Sequence, residues 1–178
     1  HGESLGEHGI FYKQCSYEGS VGVPLIFSGP DIPKGNKVDM PVSLIDLYPT
    51  ILDCAGLETE ADRDGISWKK VVTQKDVGRE VVFSEYHGNF FRKDWYMLTN
   101  EKYKYTYYVD DVPTLFDMQK DPFELDDLAG KAKYQEVITW FEKKLRELVD
   151  PEEVSLRAKR DLGLISPGGE DYTKSLTM

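Results

Sequence analysis

The side chains best suited to chemistry are concentrated in the first thirteen residues, a glycine-rich stretch that contains His1, Glu3, Glu7, His8 and Lys13. Imidazole nitrogens and carboxylates are common metal ligands, and a Lys ammonium can stabilise oxygens that carry negative charge. Without a further pattern, a His or Lys in such a loop is simply a solvated residue. Residue types alone therefore assign no role to this segment.

The two cysteines, Cys15 and Cys54, match no pattern of metal ligands. Their spacing fits no zinc motif, and two cysteines are too few for a disulfide framework. We expect two free, half-buried thiols, and a disulfide between them stays open as the alternative.

Regular elements must position the candidate residues, and the first of them form an α/β unit. An apolar run bounded by Pro and Gly at residues 21–28 predicts a buried strand. Residues 43–56 predict a helix with Asp46 as its N-cap, Pro49 in its first turn and Gly56 just beyond its end. A strand followed by a helix is typical of the α/β fold class.

The second half of the chain predicts a small antiparallel sheet with a covering helix. Apolar and aromatic runs predict strands at residues 81–86, 95–99, 103–108 and 114–117. In the third run Tyr103, Tyr105 and Tyr107 alternate with polar residues, which is the period of a half-exposed strand. We expect these tyrosines to form a packed face of the sheet.

Two helices are expected after the sheet. Asp121 and Glu124 have the capping-box pattern that begins a helix, and an apolar pattern of helical period follows over residues 134–149. A weaker amphipathic helix is predicted at residues 152–161. The remaining residues, rich in Gly, Ser and Thr, predict an extended tail.

Composition excludes several classes of protein. The 178 residues are 40% hydrophobic and carry a formal net charge of −10, which is typical of an acidic globular chain. An acidic chain with scattered Lys and Arg repels phosphate groups, so neither a nucleic acid nor an anionic membrane surface is an expected partner. No apolar run is long enough to predict a transmembrane helix.

The opening segment Leu5-Gly6-Glu7-His8-Gly9, followed by Lys13, resembles the sulfatase family of the alkaline-phosphatase superfamily. The resemblance continues in order through Tyr17-Glu18-Gly19-Ser20, Val23-Pro24-Leu25-Ile26, Asp46-Leu47-Tyr48-Pro49-Thr50, Asp64-Gly65-Ile66-Ser67, Leu115-Phe116-Asp117 and Asp121-Pro122-Phe123-Glu124. Each piece is weak alone, but their order and spacing are specific. The implied fold is the C-terminal part of an alkaline-phosphatase-like sulfatase, with a strand–helix edge of the large sheet and a small antiparallel sheet.

The resemblance implies roles for two residues of the opening segment. His1 matches the second member of an Asp-His or Asp-Asn pair that binds the divalent metal, and Lys13 matches the Lys that contacts the sulfate oxygens. Carboxylate ligands favour Ca²⁺, whereas an imidazole suits Mn²⁺ or Zn²⁺. The His variant is more similar to the branch of choline sulfatases and phosphonate monoester hydrolases. Glu7 and His8 are expected to hold the loop rather than to react.

The sulfatase nucleophile is a formylglycine made within a Cys/Ser-x-Pro-x-Arg motif, and neither Cys15 nor Cys54 begins one. We therefore expect the C-terminal portion of a sulfatase, inactive alone, with the nucleophile and most metal ligands elsewhere in the parent protein. Its predicted parts are the end of the catalytic domain at residues 1–75, a small α+β subdomain at 76–150 and a helical or extended tail at 151–178.

The substrate that the resemblance implies is a small-molecule or carbohydrate sulfate ester. His87, at the end of a predicted strand, is a candidate substrate contact, with a structural loop His as the alternative. A phosphodiesterase or phosphonate monoester hydrolase is the alternative enzyme, and a non-catalytic module that binds glycan or protein through exposed tyrosines is the alternative class. The strand at residues 21–28 would leave an open edge, so self-association of the chain is expected.

Overall fold

The computed structural model describes residues 1–74, 78–88, 93–166 and 168–172, and the chain forms two compact units. The first unit comprises His1–Val23, Ser84–Leu98 and Lys102–Met178, and the second comprises Pro24–Phe83 and Thr99–Glu101. Helices and small antiparallel sheets are mixed, so the predicted α/β class is confirmed. The predicted boundaries at residues 75 and 150 concern the domains of the whole protein and stay a prediction.

The N-terminal segment folds around a two-stranded antiparallel ladder rather than forming only a loop. Strand β1 (Ser4–Leu5) pairs with strand β2 (Phe11–Tyr12), and the four-residue helix α1 (Glu18–Val21) follows. Between the strands, the Glu7 carboxylate accepts a hydrogen bond from the Leu5 amide at 2.6 Å, and His8 stacks on Tyr17 with ring centroids 3.9 Å apart. Glu7 and His8 hold the turn, as expected.

The predicted strand at residues 21–28 is wrong. Val21 ends α1, residues 22–28 join no sheet, and Ile26 is 88% exposed. An apolar run becomes a strand only where a neighbouring strand satisfies its backbone hydrogen bonds, and none of the strands in the described ranges pairs with it. Self-association stays a prediction, and it now depends on exposed apolar side chains rather than on a strand edge.

The helix predicted in the second unit is confirmed as α2 (Leu47–Cys54), preceded by a 3₁₀ turn at Leu44–Asp46. Asp46 occupies the N-cap position, and Gly56 follows the C-cap with a φ of +71°. A second helix, α3 (Trp68–Gln74), is joined to α2 by a hydrogen bond from the Trp68 amide to the Thr50 hydroxyl at 2.9 Å.

The carboxylate of Asp46 makes no capping hydrogen bond to α2 but accepts the Ser43 amide at 3.3 Å and is a polar centre of the second unit. Asp46 is 1% exposed and accepts hydrogen bonds from the Trp68 indole at 3.0 Å, the Ile66 amide at 2.9 Å and Arg79 Nη2 at 2.7 Å. Burial raises the pKa of this carboxyl, but the bonds from Arg79, Ile66 and Trp68 outweigh burial and lower the pKa below its ordinary value. The carboxylate therefore joins α2, α3 and the segment at Arg79.

Gly56 is expected to be required by its backbone conformation alone. An L-residue with a φ near +71° is strained by about 1–2 kcal/mol, and within the described residues no atom crowds a Cβ built at Gly56. Gly56→Ala should lower the free energy of unfolding, measured by urea denaturation, by about 1 kcal/mol. Gly130→Ala is the matched control, because Gly130 has equal space and no positive φ. Equal stability losses in the two variants would contradict the prediction.

A four-stranded sheet, most of which lies in the first unit, confirms the predicted strands. Its members are β3 (Val82–Tyr86), β4 (Trp95–Thr99), β5 (Tyr103–Tyr108) and β6 (Thr114–Asp117). They are hydrogen-bonded in chain order, and β5 and β6 are antiparallel. Each strand begins within one residue of its predicted start.

Both predicted helices of the first unit are formed. They are α4 (Gln135–Leu148), preceded by a 3₁₀ turn at Ala132–Tyr134, and α5 (Pro151–Asp161). Helix α4 covers one face of β5, where the buried rings of Tyr105 and Phe141 stack with centroids 5.7 Å apart. In the tail, an isolated bridge joins Ile165 to Asp171. Beyond residue 172 the predicted tail lies outside the described residues.

The opposite face of β5 is also covered, which the alternating pattern did not predict. Lys104 and Thr106 are buried, and Thr106 Oγ1 donates a hydrogen bond to Ser16 Oγ at 3.0 Å. Alternation assigns polar side chains to one face of a strand, but it does not tell whether another segment covers that face. Here the N-terminal segment covers it.

The capping box predicted at Asp121 and Glu124 is wrong, because these residues form a turn and the next helix, a 3₁₀ turn, starts at Ala132. Glu124 has a φ of +56°, and its buried carboxylate bonds elsewhere. Both cysteines are free thiols, but Cys15 is buried and Cys54 is exposed rather than half-buried. Among the described helices, none is both long and apolar enough to cross a membrane.

Candidate functional site

Lys13 directly follows β2, and its ammonium lies at the surface of the first unit. Nζ is 3.4 Å from Glu3 Oε2, and the two side chains are 43% and 40% exposed. The preceding Tyr12 has a φ of +74°, which is uncommon for a residue other than Gly. An ion pair this exposed contributes at most about 1 kcal/mol, so an anionic ligand can replace Glu3 at low cost.

Ser20 of helix α1 fastens both ends of the candidate segment. Ser20 is 2% exposed, its hydroxyl donates to the Lys13 carbonyl at 2.6 Å, and its own carbonyl accepts the Gly2 amide at 2.7 Å. The backbone passes so closely here that a Cβ on Gly2 would lie 2.3 Å from the carbonyl oxygen of Gly19. The structure therefore attaches both Gly2 and Lys13 to Ser20 of α1.

His1 does not belong to a metal-binding cluster within the described residues. Its imidazole is exposed, and Nδ1 is 3.0 Å from the Gly2 carbonyl oxygen. In the part of the chain that the structure describes, no three His, Cys, Asp or Glu side chains come together to hold an ion. His1 can offer one ligand, which by itself does not make a metal site.

His87 follows β3 and lies between two carboxylates. Its Nε2 is 3.4 Å from Glu85, its Nδ1 is 3.7 Å from Asp94, and its ring meets Tyr96 edge-on with centroids 5.4 Å apart. Asp94 is fixed in turn by the Ser155 hydroxyl, which donates to it at 2.6 Å. None of these contacts involves the segment that carries Lys13, so the two candidate substrate contacts are not joined by a described interaction.

A cavity of about 350 Å³ adjoins the Lys13 segment. Its walls include Cys15, Tyr17, Trp95 and Tyr108. The Lys93–Asp111 ion pair, with its charged atoms 3.0 Å apart, also lines it. Aromatic walls with a few charged groups are typical of small-molecule sites.

The sequence did not predict the buried polar cluster that lies on the face of β5 opposite α4. Lys104 is 2% exposed and its Nζ is 2.9 Å from Glu124 Oε1, while Glu124 Oε2 accepts the Glu18 amide at 2.7 Å. The pieces Tyr17-Glu18-Gly19-Ser20 and Asp121-Pro122-Phe123-Glu124, which carried part of the resemblance, thus meet in space. The position of Lys104 between two tyrosines of a strand was the signal that could have indicated this cluster. The alternating pattern, however, favoured an exposed position for Lys104.

Known proteins that are similar to the chain are sulfatases. A family model described as N-sulphoglucosamine sulphohydrolase, C-terminal, matches residues 6–151. Arylsulfatase K of Xenopus laevis is 38% identical over 167 residues, which are 87% of this chain and 31% of that protein. Arylsulfatase K of Homo sapiens is 36% identical over 166 residues, with 87% and 31% covered. The chain thus spans about a third of the length of these relatives.

Solved structures agree with this assignment. A 2-O GAG sulfatase matches with a TM-score of 0.75 and 28% identity over 98% of this chain and 38% of its own. A protein in complex with its substrate D-glucosamine-2-N,6-O-disulfate matches with a TM-score of 0.66 and 28% identity over 85% and 34%. A phosphonate monoester hydrolase from Silicibacter pomeroyi matches with a TM-score of 0.67 and 25% identity over 98% and 35%.

The expected C-terminal portion of an alkaline-phosphatase-like fold is therefore confirmed. The matching family model is itself a C-terminal one and includes all but the first five residues of the motif-bearing part. The 2-O GAG sulfatase matches almost the whole chain. The chain belongs to the sulfatase family.

Proposed function

We propose that the whole protein hydrolyses sulfate esters and that Lys13 contacts the sulfate oxygens during cleavage. The observation that carries this proposal is the placement of Lys13, exposed at the end of the Leu-Gly-Glu-His-Gly segment, with Glu3 as a displaceable partner. Breaking the ester bond increases negative charge on the sulfate and leaving oxygens. A fixed ammonium stabilises that charge more in the transition state than in the ground state.

The sulfatase family generally uses a divalent metal and a formylglycine. A bound divalent ion supplies Lewis-acid stabilisation of the ester oxygens. We infer that His1 contributes one ligand, that the remaining ligands lie outside the described residues, and that the ion is Ca²⁺, with Mn²⁺ or Zn²⁺ as the alternatives. Elemental analysis of the purified full-length protein and its His1→Ala variant tests this inference, and an equal metal content in the two would contradict the role of His1.

The substrate class that we propose is a carbohydrate sulfate ester. Its support is chemical likeness, since one matching structure is a 2-O GAG sulfatase and another binds a disulfated glucosamine. The aromatic cavity beside the Lys13 segment offers apolar walls against which a sugar ring could pack. His87 is proposed as a further substrate contact, and His87→Gln should raise KM for the sugar sulfate while leaving the fold intact.

The alternative activity is that of a phosphodiesterase or phosphonate monoester hydrolase. Its support is the match to a phosphonate monoester hydrolase and the His at position 1. The full-length protein should turn over an aryl sulfate with a higher kcat/KM than the matching aryl phosphodiester, in assays that follow release of the same phenol. A preference for the phosphodiester would replace the proposed sulfatase activity with this alternative.

The arrangement of the tyrosines gives no support to the alternative of a non-catalytic glycan-binding module. The tyrosines that would bind sugar are not an open platform, because Tyr105 is buried against α4 and the Tyr107 hydroxyl donates to Glu152 at 2.5 Å. The side chain of Arg146 also lies over the Tyr107 ring, with 5.5 Å between the guanidinium carbon and the ring centroid. The tyrosines support packing of the helices on the sheet.

A further inference from the structure

A buried ion pair that is distant from Lys13 in sequence begins a continuous chain of contacts to it. Lys104 Nζ lies 2.9 Å from Glu124 Oε1, with both side chains almost fully buried. The same ammonium donates to the Glu18 carboxylate and, at 3.2 Å, to the Ser16 carbonyl. Because a buried charge is unfavourable unless its partners are well placed, the pair favours one arrangement of these groups.

The Lys104–Glu124 pair holds the start of helix α1 against the sheet. The amide of Glu18, the first residue of α1, donates to Glu124 Oε2 at 2.7 Å, and the Glu18 carboxylate accepts a hydrogen bond from Lys104. Thr106, on the same face of β5 as Lys104, donates to Ser16 just before the helix. The start of α1 is therefore held by side chains of β5 and of the turn at Glu124.

Ser20 links the position of helix α1 to that of Lys13. It lies two residues after Glu18 in the four-residue helix, so a displacement of Glu18 displaces Ser20 as well. The Ser20 hydroxyl binds the Lys13 carbonyl at 2.6 Å, and its carbonyl holds the Gly2 amide at 2.7 Å. The position of the Lys13 backbone thus depends on α1.

We propose that Lys104 and Glu124 are positioning residues for Lys13, and that they act through Glu18 and Ser20. This inference rests on the proposed function, in which Lys13 contacts the sulfate. Neither residue of the pair touches the substrate. Misplacement of a catalytic group by about 1 Å can lower a rate about 10²-fold, so the chain of contacts has a catalytic effect beyond its effect on stability.

Kinetics of the full-length protein test the proposal through two independent links. Ser20→Ala removes the last link, and the double variant Lys104→Met/Glu124→Gln removes the first without leaving a buried carboxylate unpaired. Each should lower kcat about 10-fold or more, with KM changed much less. In a Lys13→Met background neither should lower kcat further, because Lys13 is already absent. Losses that multiply with that of Lys13→Met would overturn the proposal, since they would not act through Lys13.

Thr50→Val is the matched control for general destabilisation. Thr50 is 2% exposed, as is Ser20, and its hydroxyl likewise donates to a backbone carbonyl, that of Asp46, at 2.6 Å. The same hydroxyl accepts the Trp68 amide at 2.9 Å, so its removal breaks two hydrogen bonds. It lies in the second unit. The Thr50→Val variant should show a Tm loss at least as large as that of Ser20→Ala, with an unchanged kcat. An equal loss of kcat in Thr50→Val would mean that destabilisation alone explains the kinetics.

The rate of reductive methylation of Lys13, followed by mass spectrometry, separates this inference from the proposed function. Lys37, which is exposed and paired only with Asp39 in the described residues, provides the internal reference. Methylation of Lys13 relative to Lys37 should rise several-fold in both variants, because the Lys13–Glu3 pair loosens, and should not change in Thr50→Val. An unchanged rate overturns the positioning role. Full turnover by Lys13→Met would instead overturn the catalytic role of Lys13, whatever the methylation rate.

Discussion

Substitution of Lys13 by Met in the full-length protein should lower kcat/KM for an aryl sulfate by about 10²–10³-fold, the usual cost of losing one group that stabilises an oxyanion. Met keeps the length of the side chain and removes its charge. Most of the loss should appear in kcat, because in the proposed function the ammonium stabilises charge that develops as the ester bond breaks. Initial rates over a range of substrate concentrations separate the two parameters.

Lys37→Met is the control for the loss of one positive charge. Lys37 is 84% exposed and lies 2.5 Å from Asp39 in the second unit, so its replacement should leave kcat/KM within about twofold. Unfolding curves must show that both variants are folded. Lys13→Met with wild-type kcat would show that Lys13 does not act on the transition state.

Replacement of Asp46 by Asn should be the most destabilising isosteric change in the second unit, at about 3 kcal/mol, the low end for breaking a buried pair by removing one partner. The carboxylate holds Arg79, the Trp68 indole and the Ile66 amide together. Asn can accept with only one of its two terminal atoms, and it leaves Arg79 without a counter-charge at this position. Urea denaturation at neutral pH measures the loss.

The pH dependence of that loss provides a second check. The pKa of Asp46 is lowered in the folded state from an ordinary value of 3.8. Its contribution is therefore complete above about pH 5 and is lost as the pH falls through the folded pKa. The stability gap between the wild type and Asp46→Asn should narrow below about pH 4.

Asp53→Asn is the matched control for Asp46→Asn, because the Asp53 side chain is only half-buried and accepts a hydrogen bond from the Ser67 hydroxyl at 2.6 Å. The substitution is the same and lies in the same unit. It should cost less than about 1 kcal/mol. If the two variants lose equal stability, the buried network at Asp46 is not what stabilises the unit.

Elements whose partners are local in sequence could be predicted from sequence. The helix ending at Gly56, the strands of the sheet and helix α4 follow from periodicity and from residues that favour their ends, and these signals lie within about ten residues. For the same reason the family resemblance could single out Lys13 as a candidate, since its motif is contiguous. The prediction of a strand at residues 21–28 failed because a strand forms only with pairing partners, which no local pattern specifies.

The side chains that hold the candidate site could not be found in this way. Lys104 and Glu124 looked like a surface Lys and a helix cap, because their partners lie 20 or more residues away. A buried charge is recognised only from what surrounds it in three dimensions. Asp46 was placed correctly at its helix but given the wrong role, since Arg79 is 33 residues distant.

The bond between the Glu18 amide and Glu124 spans 106 residues, which has a consequence for biosynthesis. At a translation rate of about 5–20 residues per second, the ribosome needs roughly 5–20 s to make the second partner after the first. During that interval α1 lacks its contact with Glu124, and the segment with Lys13 cannot reach its final conformation. The candidate sulfate-binding segment is therefore completed only after the turn at Glu124 has been synthesised.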